Sequence, residues 1–348
     1  MAKRINGSSQ RENDFIIGGT QIAAGETKEI KLFVSKLYDF TNIYPPVKVI
    51  RGEKDGPRLF VCAAVHGDEV NGVEIISRLL KHKSLKKLTG TLIVIPIVNV
   101  FGFNNLSRYL PDRRDLNRCF PGSRHGSLAS QLAHIFVTEV VEKCTHGIDL
   151  HTGAIHRTNL PQIRAWLKDE ETSRLAHEFD VPVIIDAEVI DGSLRKVAFD
   201  KNIPILVFEG GEALRYNNLV TRSGLAGILS VMRALGMIPD SKKEGKRVRS
   251  FIAKGMCWVR APHSGILIIK RKLGSAVEKE DLLGLISDPL GNDLIEIRAT
   301  QKGVIIGHTQ LPLVNHGDAV FNIATFDKTA LISKSIEEFD YKFEYEGR

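Results

Sequence analysis

The chain has 348 residues, 43% of them hydrophobic and 26% charged, a balance that suits a soluble globular protein and excludes a disordered one. Its length exceeds the usual size of one core and predicts a large domain with a smaller one beside it. The formal charge of +7 is spread without a basic arm or an aromatic-interleaved patch, so nucleic acid is not an expected partner, whereas attraction of small anions into a cleft is.

In chain order, the N-terminus lacks the apolar core of a signal peptide and no stretch reaches about 18 uninterrupted apolar residues, which predicts a cytoplasmic protein without a membrane partner. Residues 1–28 read as an uncommitted arm. Apolar and β-branched runs predict strands over 29–35, 47–50 and 58–65, and the helical spacing of apolar residues in 73–80 predicts a helix. Strands then follow at 91–98, 147–150, 182–186 and 203–208, and helices at 128–143, 170–179, 193–200 and 219–235. This alternation predicts an α/β fold, a mixed and mostly parallel sheet with helices on both faces, over residues 29–240.

A charged connector follows Pro239, and from 250 to 326 short β-rich runs alternate with turns at 265–269, 282–286, 294–297, 303–306 and 319–323. These resemble a lipoyl or biotinyl-type barrel-sandwich, a small all-β domain. The hairpin 288–292 lacks the lysine that such carriers expose, so the expected role is structural or channel-shaping. Residues 327–348 read as a tail. His263, His308 and His316 read as turn or surface residues, and Cys62, Cys119, Cys144 and Cys257, with no C-x-x-C spacing, as free thiols.

Chemistry gathers at predicted strand ends. His66 and Glu69, in H-G-D-E, follow the apolar run 58–65, and open α/β sheets bind ligands beyond the carboxyl ends of their strands. Alone, the same residues fit an N-capping Asp68 beside a surface His and Glu. His151, in D-L-H-T-G, repeats the arrangement after a second short strand. Two imidazoles and a carboxylate suit one zinc ion per chain and leave a fourth position for water, the pattern of a catalytic site. Glu209, in F-E-G-G, ends a third strand in an apolar run where a bare carboxylate is costly to desolvate, which suggests a general base acting on zinc-bound water. The basic loop 107–122 places Asn117 and Arg118 among apolar and turn residues, and an arginine fork can hold a carboxylate through two charge-assisted hydrogen bonds.

H-G-D-E, R-Y-L…D-L-N-R, D-L-H-T-G and F-E-G-G, in this order, resemble the succinylglutamate desuccinylase and aspartoacylase family, related to the zinc carboxypeptidases, over roughly residues 30–240. The resemblance implies that His66, Glu69 and His151 bind zinc, that Glu209 activates the water, that Arg108 polarises the scissile carbonyl, and that Asn117 and Arg118 grip an α-carboxylate. Asp115 would accept a hydrogen bond from His66 and fix its tautomer. Two extra residues between Arg108 and Asn117 bring in Arg114 as a second candidate for the carbonyl, and no family motif marks the acyl-reading side chains between His151 and Glu209. The function so implied is zinc-dependent hydrolysis of a small, anionic N-acyl amino acid or related N-acyl amine. The rivals are a carboxypeptidase-like peptidase and a non-catalytic small-molecule binder. Homo-oligomer formation is left open.

Overall fold

The computed structural model describes residues 15–240, 247–291, 294–327 and 329–344; the first half of the expected arm, most of the charged connector, Asn292 of the carrier-like hairpin and the last four residues lie outside these. Strands Thr89–Ile95, Lys54–Ala63, His146–Gly153 and Ile205–Glu212 lie side by side in that order, all parallel. Residues 59–65 are all fully buried, which explains their unbroken apolar run, since a strand covered on both faces has no polar side to show. Alternation divides them. Leu59 and Val61 join Ile75, Leu79 and Ile228 under helices Asn71–Leu80 and Asn218–Ala234, while Phe60 and Cys62 join Leu132, Phe136 and Val197 under Leu128–Glu139 and Leu194–Asp200. The α/β architecture with helices on both faces is therefore as the sequence predicts.

Pro46–Arg51 and Thr27–Lys31 extend one side antiparallel, so residues 27–28 of the expected arm belong to the sheet, and Phe15–Ile17 pairs with Thr20–Ile22 in a hairpin. Ile17 and Ile22 are fully buried, and it is this apolar anchoring that removes 15–28 from the arm. The helix expected over 128–143 stops at Glu139; Val140 leaves the helix and Val141–Lys143 forms a 3₁₀ turn.

The other side carries a strand that patterning does not reveal. Arg157–Ala165 pairs antiparallel with Ile205–Glu212, parallel with Val183–Asp186, and antiparallel with Gly303–Thr309 of the C-terminal region. Pro161 in its interior argues against a strand, yet the pairing is irregular between Asn159 and Gln162, and a bulge is where a sheet tolerates proline. Through Gly303–Thr309 the sheet continues into Ala319–Thr325 and Gly255–Arg260, giving 13 strands among the described residues. A four-stranded antiparallel sheet, in order Leu294–Arg298, Leu282–Ser287, Gly265–Ile269 and Leu313–Val314, faces this extension across a core that includes Leu267, Leu283, Ile286 and Phe321. The predicted tail instead holds helix Thr329–Glu344, because Phe339 and Phe343 enter the same core as Phe179 and Phe208. Among the described residues no helix is long and apolar enough to cross a membrane, and the four cysteines are free.

Candidate active site

The carboxyl ends of Lys54–Ala63, His146–Gly153 and Ile205–Glu212 open onto a cavity of about 260 Å³, at the small end of ligand pockets. His66 follows the first strand through Ala64 in the left-handed conformation, and Glu69 sits two residues before helix Asn71–Leu80. Asp68 does not cap that helix; its N-cap is Val70, without a side-chain hydrogen bond. Gly67 is confined by backbone, since a Cβ there would lie 2.0 Å from the Gly102 carbonyl carbon. His151 and Glu209 are register neighbours on adjacent parallel strands, so both reach the cavity from one edge.

His66, Glu69 and His151 are buried, with candidate ligand atoms all within 4.8 Å of one another. Glu69 Oε1 lies 2.8 Å from His66 Nδ1, and Glu69 Oε2 lies 2.8 Å from His151 Nδ1 and accepts the Thr152 N–H at 3.1 Å. The outer nitrogens are tied down as well, His66 Nε2 to Asp115 Oδ1 at 3.1 Å and His151 Nε2 to Asp149 Oδ2 at 2.8 Å. Burial disfavours a charged His66, but Glu69 and Asp115 outweigh it and hold the imidazole above the ordinary histidine range. His151 is raised further, burial being overcome by Asp149 and Glu69. Burial likewise opposes charge on Glu69 and on Asp115, yet the two imidazoles hold Glu69, and His66 with Arg108 holds Asp115, below the usual carboxylate range. Two inward-facing Nδ1 atoms, one buried carboxylate between them and carboxylates behind each ring make a donor set that fits zinc.

Around this group stand the other expected residues. Arg108 donates from Nε and Nη2 to Asp115 Oδ2 at 3.2 and 2.9 Å and from Nη1 to Glu69 Oε1 at 3.4 Å. Asn117 and Arg118 line the cavity; Asn117 Oδ1 accepts the Leu194 N–H at 2.9 Å, which fixes its amide. Arg114 does not line it. Its carbonyl accepts the Leu110 N–H in a turn and the residue is exposed, so of the two arginine candidates only Arg108 lines the cavity. Glu209 is held by Asn159 Nδ2 at 3.0 Å and by an ion pair with Arg164 Nε at 3.2 Å. His308 is buried rather than at the surface, its Nδ1 on the Thr309 carbonyl, because its strand lies inside the extended sheet.

Several lining residues escape sequence reasoning. Arg157, Asn159 and Arg164 come from the unpredicted strand, Ser193 and Arg195 from the start of helix Leu194–Asp200, and Trp258 from the C-terminal region, where the Arg157 guanidinium stacks 5.1 Å from its ring centre. Asp149 carried a usable signal, since residues 149 and 151 on one strand share a face.

Fold and cavity together define an α/β protein with a buried His–Glu–His group at the strand ends, backed by a β-rich C-terminal extension. A family model described as the succinylglutamate desuccinylase/aspartoacylase catalytic domain matches residues 55–235, just over half of the chain, and the protein belongs to that family. The N-alpha-acetyl-L-2,4-diaminobutyric acid deacetylase of Halomonas elongata is 26% identical over 296 residues, covering 80% of this chain and 85% of the relative. Among solved structures, the product-bound ectoine utilization protein EutE (DoeB) from Ruegeria pomeroyi superposes with a TM-score of 0.77 at 24% identity, covering 86% of this chain and 95% of that one. A succinylglutamate desuccinylase from Silicibacter sp. TM1040 gives 0.79 at 22%, covering 90% and 98%. These two share the fold.

Proposed function

We propose that this protein hydrolyses the amide bond of a small anionic N-acyl amino acid, with zinc held by His66, Glu69 and His151 and with Glu209 as general base. The observation that carries the reading is the buried His–Glu–His group opening onto the same small cavity as Glu209. A zinc ion bound there supplies Lewis acidity and makes hydroxide available near neutral pH. Glu209 takes the proton of the attacking water on its carboxylate and returns it to the amine nitrogen as the C–N bond breaks, releasing a carboxylic acid and a free amine. Arg108 stands beside Glu69, where its guanidinium can stabilise charge developing on the carbonyl oxygen. Asn117 and Arg118 hold the α-carboxylate, while Asp115 and Asp149 keep both imidazoles turned with Nδ1 inward.

The charge of the lining supports an anionic substrate: Arg108, Arg118, Arg157, Arg164 and Arg195 face two carboxylates, Glu69 and Glu209. Relatedness to a deacetylase of an N-acetylated amino acid supports the reaction class. A peptidase draws no support from a small cavity to which Trp258 adds a wall, and a non-catalytic binder has no need of Glu209. Four free cysteines support a reducing compartment such as the cytoplasm.

The test pairs metal analysis with a panel of N-acetyl amino acids, N-succinyl amino acids and peptides. The purified protein should hold close to one zinc per chain, as three protein ligands and an open position require, and should prefer N-acyl amino acids. A metal-free preparation of undiminished activity ends the zinc mechanism, and preference for peptides ends the deacylase reading. Glu209→Gln should retain zinc and lose turnover by about 10²-fold or more.

A further inference from the structure

One strand holds both oxygens of Glu209. Arg157–Ala165 contributes Arg164, whose Nε lies 3.2 Å from Oε1, and Asn159, whose Nδ2 donates to Oε2 at 3.0 Å. Asn159 reaches Glu209 through the bulge. In the antiparallel pairing Gln162 stands opposite Glu209 and Asn159 opposite Gly211, so three steps on one strand match two on the other. Strict alternation would send residues 159 and 162 to opposite faces, and an extra residue re-aims one of them.

On its other edge Asn159 is the register partner of Gly307, in the strand Gly303–Thr309 by which the C-terminal region joins the sheet. A Cβ on Gly307 would lie 2.7 Å from Asn159 Oδ1, closer than such contacts occur, whereas its next neighbours, the Thr158 carbonyl oxygen and Asn322 Cβ, would lie 3.3 and 3.6 Å away. Gly307 is not among the glycines with positive φ, so backbone conformation does not demand glycine there. What the missing side chain leaves is room for the Asn159 amide.

We infer that Asn159 is a positioning residue for Glu209, and that Gly307 in the C-terminal region provides the seat from which Asn159 acts, so that this region helps to aim the base as well as to wall the cavity. The inference rests on the proposed role of Glu209. Asn159 acts by fixing one carboxylate oxygen, and displacement of its amide by the Gly307 substituent releases that oxygen without touching the substrate.

The experiment compares Asn159→Ala, Gly307→Ala, the double variant and Glu209→Gln in the full-length zinc-loaded protein. Each is assayed on the N-acetyl or N-succinyl amino acid that the wild type turns over fastest, and each is followed through thermal unfolding. Each single change is expected to lower kcat by about 10- to 100-fold, the scale of a small misplacement of a reacting group, with KM within about threefold. Because Gly307→Ala acts through Asn159, the double variant should be no slower than Asn159→Ala, and Asn159→Ala should restore part of the unfolding temperature lost to Gly307→Ala. Penalties that multiply in the double variant, or an Asn159→Ala protein with unchanged kcat, overturn the inference. A Gly307→Ala chain that folds only alongside Asn159→Ala supports it, and one that unfolds in both backgrounds overturns the part given to Gly307. Glu209→Gln separates the two levels: wild-type turnover there removes the base itself, whereas an inactive Glu209→Gln with multiplying penalties removes only the positioning roles.

Discussion

Two imidazoles face one carboxylate, Glu69, and each is backed by another. Asp149 does this for His151 through Oδ2 and is itself steadied by the Cys62 thiol, which donates to Oδ1 at 3.3 Å. Replacing a carboxylate behind a ligating histidine costs about 10- to 100-fold in metal affinity. On the proposed zinc site, Asp149→Asn should therefore weaken zinc binding by that factor in competition with a chelator while leaving the fold intact, and unchanged affinity would remove Asp149 from the site. The motifs made His66, Glu69, His151 and Glu209 legible as cavity residues, because each sets a His or Glu among turn-forming neighbours. Asn159, Arg164 and Trp258 were not legible, since nothing in their local sequence separates them from ordinary strand residues, and strands far apart in sequence bring Asn159 and Arg164 together with Trp258.

At the scale of elements, helix Thr329–Glu344 shows how little periodicity says about docking. Phe339 and Phe343 pack 4.9 Å apart by ring centres, and Arg222 Nη1 donates to the Phe343 carbonyl at 2.9 Å, so this helix is fastened to Asn218–Ala234. Phe339→Ala should cost about 3–5 kcal/mol, read from urea unfolding, because a fully buried ring leaves a cavity. Asp340 on the same helix is pushed up to about 6, by burial first and then by Glu344. A raised carboxylate keeps its proton longer in the folded than in the unfolded chain. Its stabilising contribution is thus fully present below the unfolded value of 3.8 and is lost as pH rises through about 6. With the group still partly in water, the effect after screening is on the order of 1 kcal/mol. Asp340→Asn should raise the unfolding temperature at pH 7.5 by a few degrees and give a smaller gain at pH 4.5; equal gains at both values would show that titration is not the cause.

For the whole molecule, one sheet runs from Thr27–Lys31 to Gly255–Arg260, and Arg157–Ala165 links its two parts. The composition shift after Pro239 reads as a domain boundary, yet the strands beyond it complete the hydrogen bonding of those before it, with Phe251–Ala253 pairing on Val183–Asp186. A chain ending at residue 240 would expose the paired edge of Arg157–Ala165 and the face of Asn218–Ala234 that Thr329–Glu344 covers. Such a fragment should fail to show a cooperative thermal transition by circular dichroism. A sharp transition near that of the full chain would establish the first 240 residues as an independent unit.

The amino-acid sequence by itself determined the parallel centre of the sheet, because strands buried on both faces must be continuously apolar, and it determined which His and Glu residues stand at the strand ends, because the turns that carry them there leave a motif in the chain. The tertiary structure alone decided that a proline-bearing strand lies beside Glu209, that Arg108 rather than Arg114 faces the cavity, and that the C-terminal region shares the sheet and the site. Those outcomes depend on pairing and packing between separate segments, 39 residues apart for Arg108 and Glu69, 50 for Asn159 and Glu209, and about 150 for Asn159 and Gly307, and no local pattern of propensity or hydrophobicity records them.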